Sequence, residues 1–191
     1  NRNKMKLTTC PEYLKAIANG PLTQPTGYTC QSTCIAAAIG GDVPIMAIRD
    51  ALSQIGEPGS PDVMGQYLAK FFGDRYSFHS SASINDIRAH IEAGCVDIIH
   101  GWFTGSGHVV IIDGDDGTGF RMMDPNDEFH ASEWDYPQEV AGFQGVYSDL
   151  CIYAACVAGE SKDDAHNVYS AGTIDRTKGG AWVHRIKPEG K

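Results

Sequence analysis

"GHVVIIDGDDGTGFRMMDPND", residues 107–127, decides how the chain folds. The β-branched run "VVII" and the shorter "FRMM" flank "DGDDGTG", a segment rich in Asp and Gly, which tolerate the positive φ angles of tight hairpins. The stretch reads as an antiparallel hairpin, with His108 opening one strand and Asp124 closing the other. With the turn centred on Asp116, His108 lies directly opposite Asp124. Opposed residues share a face with Cβ atoms about 4.5–5.5 Å apart, so a carboxylate can accept the ring N–H of a histidine. A slip of one residue would separate them. The competing reading is a surface hairpin whose Asp-Pro simply begins a turn. Asp113, Asp115 and Asp116 lack the spaced ligands and closing Glu of a calcium loop, and a solvated turn explains them.

Working outward, "CVDIIHGWF" (95–103) is a further β-type run, and the residues before it are helical in pattern. "QSTCIAAAI" (31–39) predicts a short buried helix, with Thr29 as N-cap and Gly40-Gly41 as its stop. Ile45, Ile48, Ala51, Leu52 and Ile55 predict a helix over 43–55. A third is expected over 61–72, opened by Pro61 and ended by Gly73. A fourth is expected over 83–93, where Ser83 and Asp86 form a variant capping box. Helices first and strands second predict an α+β fold, and the length suits a single domain over 1–191. "VYSDLCIYAACVAG" (146–159) fits a strand or a buried helix, 160–172 a polar loop, and "GGAWVHRIKP" a last strand. The role of residues 150–191 stays open.

Composition narrows the function. Hydrophobic content of 42% and charged content of 20% are those of an ordinary globular protein. A net charge of −9 argues against nucleic acid as a partner, because phosphate binding needs a basic surface. No run reaches the length of a membrane span. The opening "NRNKMKLTTC" lacks the apolar stretch of a signal peptide and begins without Met, so a processed product or part of a longer protein is expected. Cysteines at 10, 30, 34, 95, 151 and 156 have neither zinc spacing nor the density of a disulfide scaffold. No metal and no cofactor are expected, and most of these thiols are expected to be plain core residues.

Cys30 differs from the others because it stands at a predicted helix start. Unpaired N–H groups and the helix dipole there favour a thiolate. Cys34, one turn on among Ile35 and the alanines, reads as packed wall. Cysteine chemistry needs a base, an orienter and donors to a developing oxyanion. His108 and Asp124 suit the first two roles, and Gln24 can donate its amide alongside the Cys30 N–H. Trp102, Gln31 and Gly107 are candidates for substrate binding, although Trp102 equally suits core packing. His79, His90, His100, His130, His166 and His184 show no partner pattern in the sequence.

"QPTGYTCQSTCIAAAIG" (24–40) resembles the nucleophile segment of the papain-like cysteine peptidases. The nearest resemblance is to the branch of double-glycine leader peptidases of bacteriocin exporters, in which a Gln precedes the catalytic Cys by six residues. "IRAHIEAGCVDIIHGWFTGSGHVVIIDGDDGTGFRMMDP" (87–125) resembles that branch's second block. The resemblance covers about residues 22–126. It implies a papain-like fold with Cys30 as nucleophile, His108 as general base and acid, Asp124 as orienter and Gln24 as oxyanion donor. Where that family has Gly-Pro after its Cys, this chain has Gln31-Ser32. The expected substrate is a peptide, with the stem or cross-link peptide of peptidoglycan favoured, as for a phage or bacterial lytic enzyme. A leader-peptide or polyprotein protease and an inactive papain-like binding module are the alternatives.

Overall fold

The structure, a computed structural model, describes residues 4–190; residues 1–3, which open the stretch read for a signal peptide, lie outside it. Its strands are β1 (Lys6–Leu7), β2 (Tyr76–Ala82), β3 (Val96–Gly101), β4 (His108–Asp115), β5 (Gly119–Asp124), β6 (Phe143–Ser148) and β7 (Ala181–Ile186). They form one antiparallel sheet in the order β2-β7-β3-β4-β5-β6, with β1 extending β3's edge along the end of β4. The helices are α1 (Pro11–Ala16), α2 (Cys30–Ala38), α3 (Ile45–Ile55), α4 (Pro61–Phe72), α5 (Ile84–Glu92), α6 (Asp149–Ile152) and α7 (Lys162–Ala171). The class is therefore α+β, as the sequence predicts. No helix among the described residues is long and apolar enough to cross a membrane.

Both faces of the sheet are covered, which is why its central strands read as continuous apolar runs. Val109 and Ile111 join the core formed with α1–α4, whereas Val110 and Ile112 join the core formed with α5–α7. That alternation is the period of two of a strand. α2 has no polar face because it is enclosed on nearly every side, and its alanines let neighbouring elements approach closely. The Ser83–Asp86 capping box is present, with bonds of 2.9 and 3.0 Å. Thr29 holds the N-cap position of α2, but its hydroxyl serves the preceding turn through Thr26 and makes no cap bond.

Three expectations need correction. Helices and strands do not follow one another in two blocks, since β2 lies between α4 and α5, and α6 and α7 come late. Residues 160–172 hold α7 instead of a loop. Ser161 caps it through the Asp164 N–H, Gly172 ends it in the left-handed region, and Ala165, Val168 and Tyr169 give it one apolar face. The 146–159 segment is strand and helix in succession, because Ser148 ends β6 and caps α6. The last strand expected in "GGAWVHRIKP" is β7, which lies inside the sheet between β2 and β3.

The hairpin register also differs from expectation. Next to the turn, Asp115 pairs with Phe120 and Gly114 with Arg121. Beyond Asp113, Ile112 pairs with Met122 and Ile111 with Met123, so Asp113 is a β-bulge. Extended to the strand ends, this register sets Asp124 opposite Val110, one diagonal step from His108. The bulge decides which face they occupy. Continuing the turn-proximal register without it would place His108 and Asp124 on opposite sides of the sheet.

Candidate active site

His108 and Asp124 meet as diagonal neighbours, Nε2 to Oδ1 at 2.9 Å. Both are buried, with 5% and 0% of their surface exposed. The carboxylate accepts four hydrogen bonds, one for each of its lone-pair positions. Oδ1 takes His108 and the Asn126 N–H (3.1 Å), and Oδ2 takes the hydroxyls of Tyr136 (2.7 Å) and Tyr147 (2.8 Å). Tyr147 in turn accepts the Phe129 N–H at 2.9 Å. Phe103 and Tyr136 pack their rings edge-on against the imidazole. Neither tyrosine was foreseen, since nothing in their sequence positions marks them as partners of Asp124.

With Nε2 committed to Asp124, Nδ1 is the ring nitrogen left for Cys30. Burial alone would raise the Cys30 pKa, but the hydrogen bond and charge of His108 outweigh it, and the net shift is downward. The N–H groups of Val109 and Gln31 also favour the sulfur anion. Burial disfavours a charged His108, yet the Asp124 carboxylate and the Cys30 sulfur raise its pKa to about 10. The two shifts describe one coupled pair that favours thiolate with imidazolium. Cys34 is fully enclosed, its thiol directed at the Val109 carbonyl at 3.5 Å and its pKa pushed up by burial. All six cysteines are free and buried. Among the described residues no cluster of three or more His, Cys, Asp or Glu is placed to hold a metal.

Cys30 is the first residue of α2, and its own N–H has no acceptor among the described residues. Gln24 is tied to the end of the hairpin: its N–H bonds Pro125 O (2.8 Å) and its Nε2 bonds Asn126 Oδ1 (3.3 Å). Asn126 is oriented by Glu139, which accepts its Nδ2 at 3.0 Å. The structure thus joins Cys30, His108 and Asp124 directly, and Gln24 through Asn126. One proton of the Gln24 amide remains uncommitted.

Trp102, Gln31 and Gly107 all line a cleft of about 680 Å³, as does His108. The segment after α6 shapes its wall. Tyr153–Ala158 forms a π-helical turn in which Gly159 N–H bonds Ala154 O, which releases the Ala155 carbonyl to accept the Trp102 N–H at 2.8 Å. The Trp102 carbonyl accepts Trp134 Nε1 at 2.9 Å, so both backbone groups of Trp102 are held. Three histidines without a partner pattern in the sequence form side-chain pairs. His90 binds Asp97 at 2.8 Å between α5 and β3, and His100 binds His184 at 2.9 Å at the cleft.

No family model, curated protein or solved structure matches the chain.

Proposed function

We propose that this chain is a thiol hydrolase of peptide amide bonds with a papain-like arrangement of its α+β fold. The observation that carries the reading is the buried His108 ring, held at Nε2 by Asp124 and within hydrogen-bonding reach of the Cys30 sulfur. In the proposed reaction the Cys30 thiolate attacks the amide carbonyl. The Cys30 N–H and the free Gln24 proton stabilise the oxyanion. Imidazolium His108 gives its proton to the leaving amine, then takes one from the water that releases the acyl group. Asp124 fixes the ring orientation and the tautomer throughout, and its two phenols fix Asp124.

Gln31 follows the nucleophile where the resembled family has Gly. A side chain at that position narrows the cleft beside the sulfur, so this account expects the substrate to differ from that family's before the chemistry does. The peptides of bacterial cell-wall peptidoglycan are the proposed substrate. Zymography on purified walls, with Cys30→Ala alongside, tests this directly. Clearing by the unaltered protein alone supports it, and equal clearing by both removes it. Mass spectrometry of the released fragments distinguishes stem-peptide cleavage from cleavage of a leader peptide after small residues.

A further inference from the structure

A chain of three polar side chains runs beneath the cleft on the α4 side of the sheet. The Tyr76 hydroxyl lies 2.8 Å from His184 Nδ1, and His184 Nε2 lies 2.9 Å from His100 Nε2. His100 lines the cleft wall, and its remaining nitrogen, Nδ1, has no partner among the described residues. Strand pairing sets His100 opposite Val109, the residue after His108. Directly paired residues stand about 4.5–5.5 Å apart at Cα, so His100 lies one strand across from the residue that follows the proposed base. The cleft therefore presents one unpaired ring nitrogen, on the strand next to the one that carries the proposed base.

Two imidazoles that face each other through Nε2 can bond only if one of those nitrogens carries a proton and the other does not. Burial pulls the His100 pKa down to about 4 and that of His184 well below the usual value, so both rings are neutral near pH 7. Each then carries one proton, and the tautomer of one fixes the tautomer of the other. Tyr76 sets the direction. His184 Nδ1 is its only partner among the described residues, and a phenol is the better donor to a bare ring nitrogen than the reverse. Donation by Tyr76 leaves His184 protonated at Nε2, which donates to His100 Nε2. His100 is then protonated at Nδ1, facing the cleft.

We infer that Tyr76 and His184 lock His100 as an uncharged N–H donor that holds a main-chain carbonyl of the peptide substrate beside the scissile bond. This assignment rests on the hydrolase reading above. His100 is a binding residue, and Tyr76, which does not line that cleft, is a positioning residue. An uncharged donor with a single proton selects extended backbone over a charged side chain, because it gives no ion-pair attraction to a carboxylate.

Two measurements on the full chain separate this inference from the reading beneath it. Long-range ¹H–¹⁵N correlation spectra of histidine-labelled protein at pH 7 report each ring's tautomer. His100 protonated at Nδ1 and His184 at Nε2 are expected, with both becoming tautomer mixtures in Tyr76→Phe. His100 protonated at Nε2, or no change in Tyr76→Phe, would overturn the lock. The second measurement compares alkylation of Cys30 by a dipeptidyl fluoromethyl ketone and by iodoacetamide. Tyr76→Phe is expected to slow the peptidyl reagent about 3- to 10-fold, the value of one neutral hydrogen bond. Iodoacetamide, too small to reach His100, should shift less than about twofold. His100→Gln, which keeps an N–H donor, should retain more of the peptidyl rate than His100→Phe. Equal slowing of both reagents would overturn the binding role. Slow, unselective alkylation of Cys30 in the unaltered protein would instead sink the hydrolase reading, and the substrate role of His100 with it.

Discussion

Asp124→Asn removes a charge and turns an acceptor into a donor at one atom. In the native protein Oδ2 accepts hydroxyl protons from Tyr136 (2.7 Å) and Tyr147 (2.8 Å). An amide NH₂ there would face two hydroxyls whose protons already point at it. Tyr147 has one further acceptor, the Asp127 carbonyl at 3.5 Å, and Tyr136 has none among the described residues. The alternative flip sets the NH₂ against the ring N–H of His108 and the Asn126 N–H. Either way at least one buried proton is stranded, at about 1–3 kcal/mol. The charge-assisted bond to His108 is weakened as well, so the total approaches the 3–5 kcal/mol, roughly, of a broken buried ion pair. Urea denaturation measures it. In a Tyr136→Phe/Tyr147→Phe background the stranded hydroxyls are gone, and the same substitution should cost about 2 kcal/mol less. The Phe129 N–H left unpaired by Tyr147→Phe is lost in both arms of the cycle and cancels. A coupling below about 0.5 kcal/mol would refute the claim that the phenols specify a carboxylate here.

Other perturbations test neighbouring parts of the account. Gln24→Ala should lower the hydrolysis rate by about 10²–10³, as loss of one oxyanion donor does, with stability changed little; single-turnover kinetics on a cleavable peptide would show it. Gly142→Ala drives a Cβ into the Leu22 carbonyl, so the 22–24 segment must move. We expect a loss of about 1–3 kcal/mol in denaturation and a fall in rate larger than stability explains, because Gln24 shifts with that segment.

Much of the candidate site's geometry is legible because its parts are local in the sequence. Cys30 at a helix mouth, with Gly40-Gly41 closing that helix, follows from capping and composition. The His108–Asp124 pair was read from a hairpin with the wrong register, and it survived because the pairing through Ile111–Met123 differs from expectation by an even step. The Asp113 bulge that restores this parity leaves no mark in the sequence, since Asp and Gly fit a turn and a bulge alike. Tyr136, Tyr147 and His184 were illegible for another reason. Each reaches the site only through long-range packing, and a tyrosine or histidine in a strand or loop has the same local signal wherever its polar end goes. The short α7 was missed because "KDDAHNVYSA" is mostly polar and buries only one stripe, against Trp134 among others. β2 carries alternating polar residues on an exposed edge, so it too lacked the apolar run that betrayed β3 and β4.

The ion pair is where the account is most exposed. The Cys30 pKa is lowered while those of Cys10, Cys34, Cys95, Cys151 and Cys156 are all raised by burial. A thiolate forms as pH rises through the thiol pKa, so Cys30 should stay reactive below the ordinary thiol value of about 8.5, down to the lower apparent pKa of the pair. Site-resolved iodoacetamide labelling by mass spectrometry, across pH 5–10, measures this directly. The account predicts that at about pH 6 Cys30 is alkylated more than 10-fold faster than any other cysteine, and that His108→Ala abolishes this advantage. Uniform slow labelling of all six thiols, or a Cys30 rate that rises only near pH 8.5 with His108 in place, would contradict it.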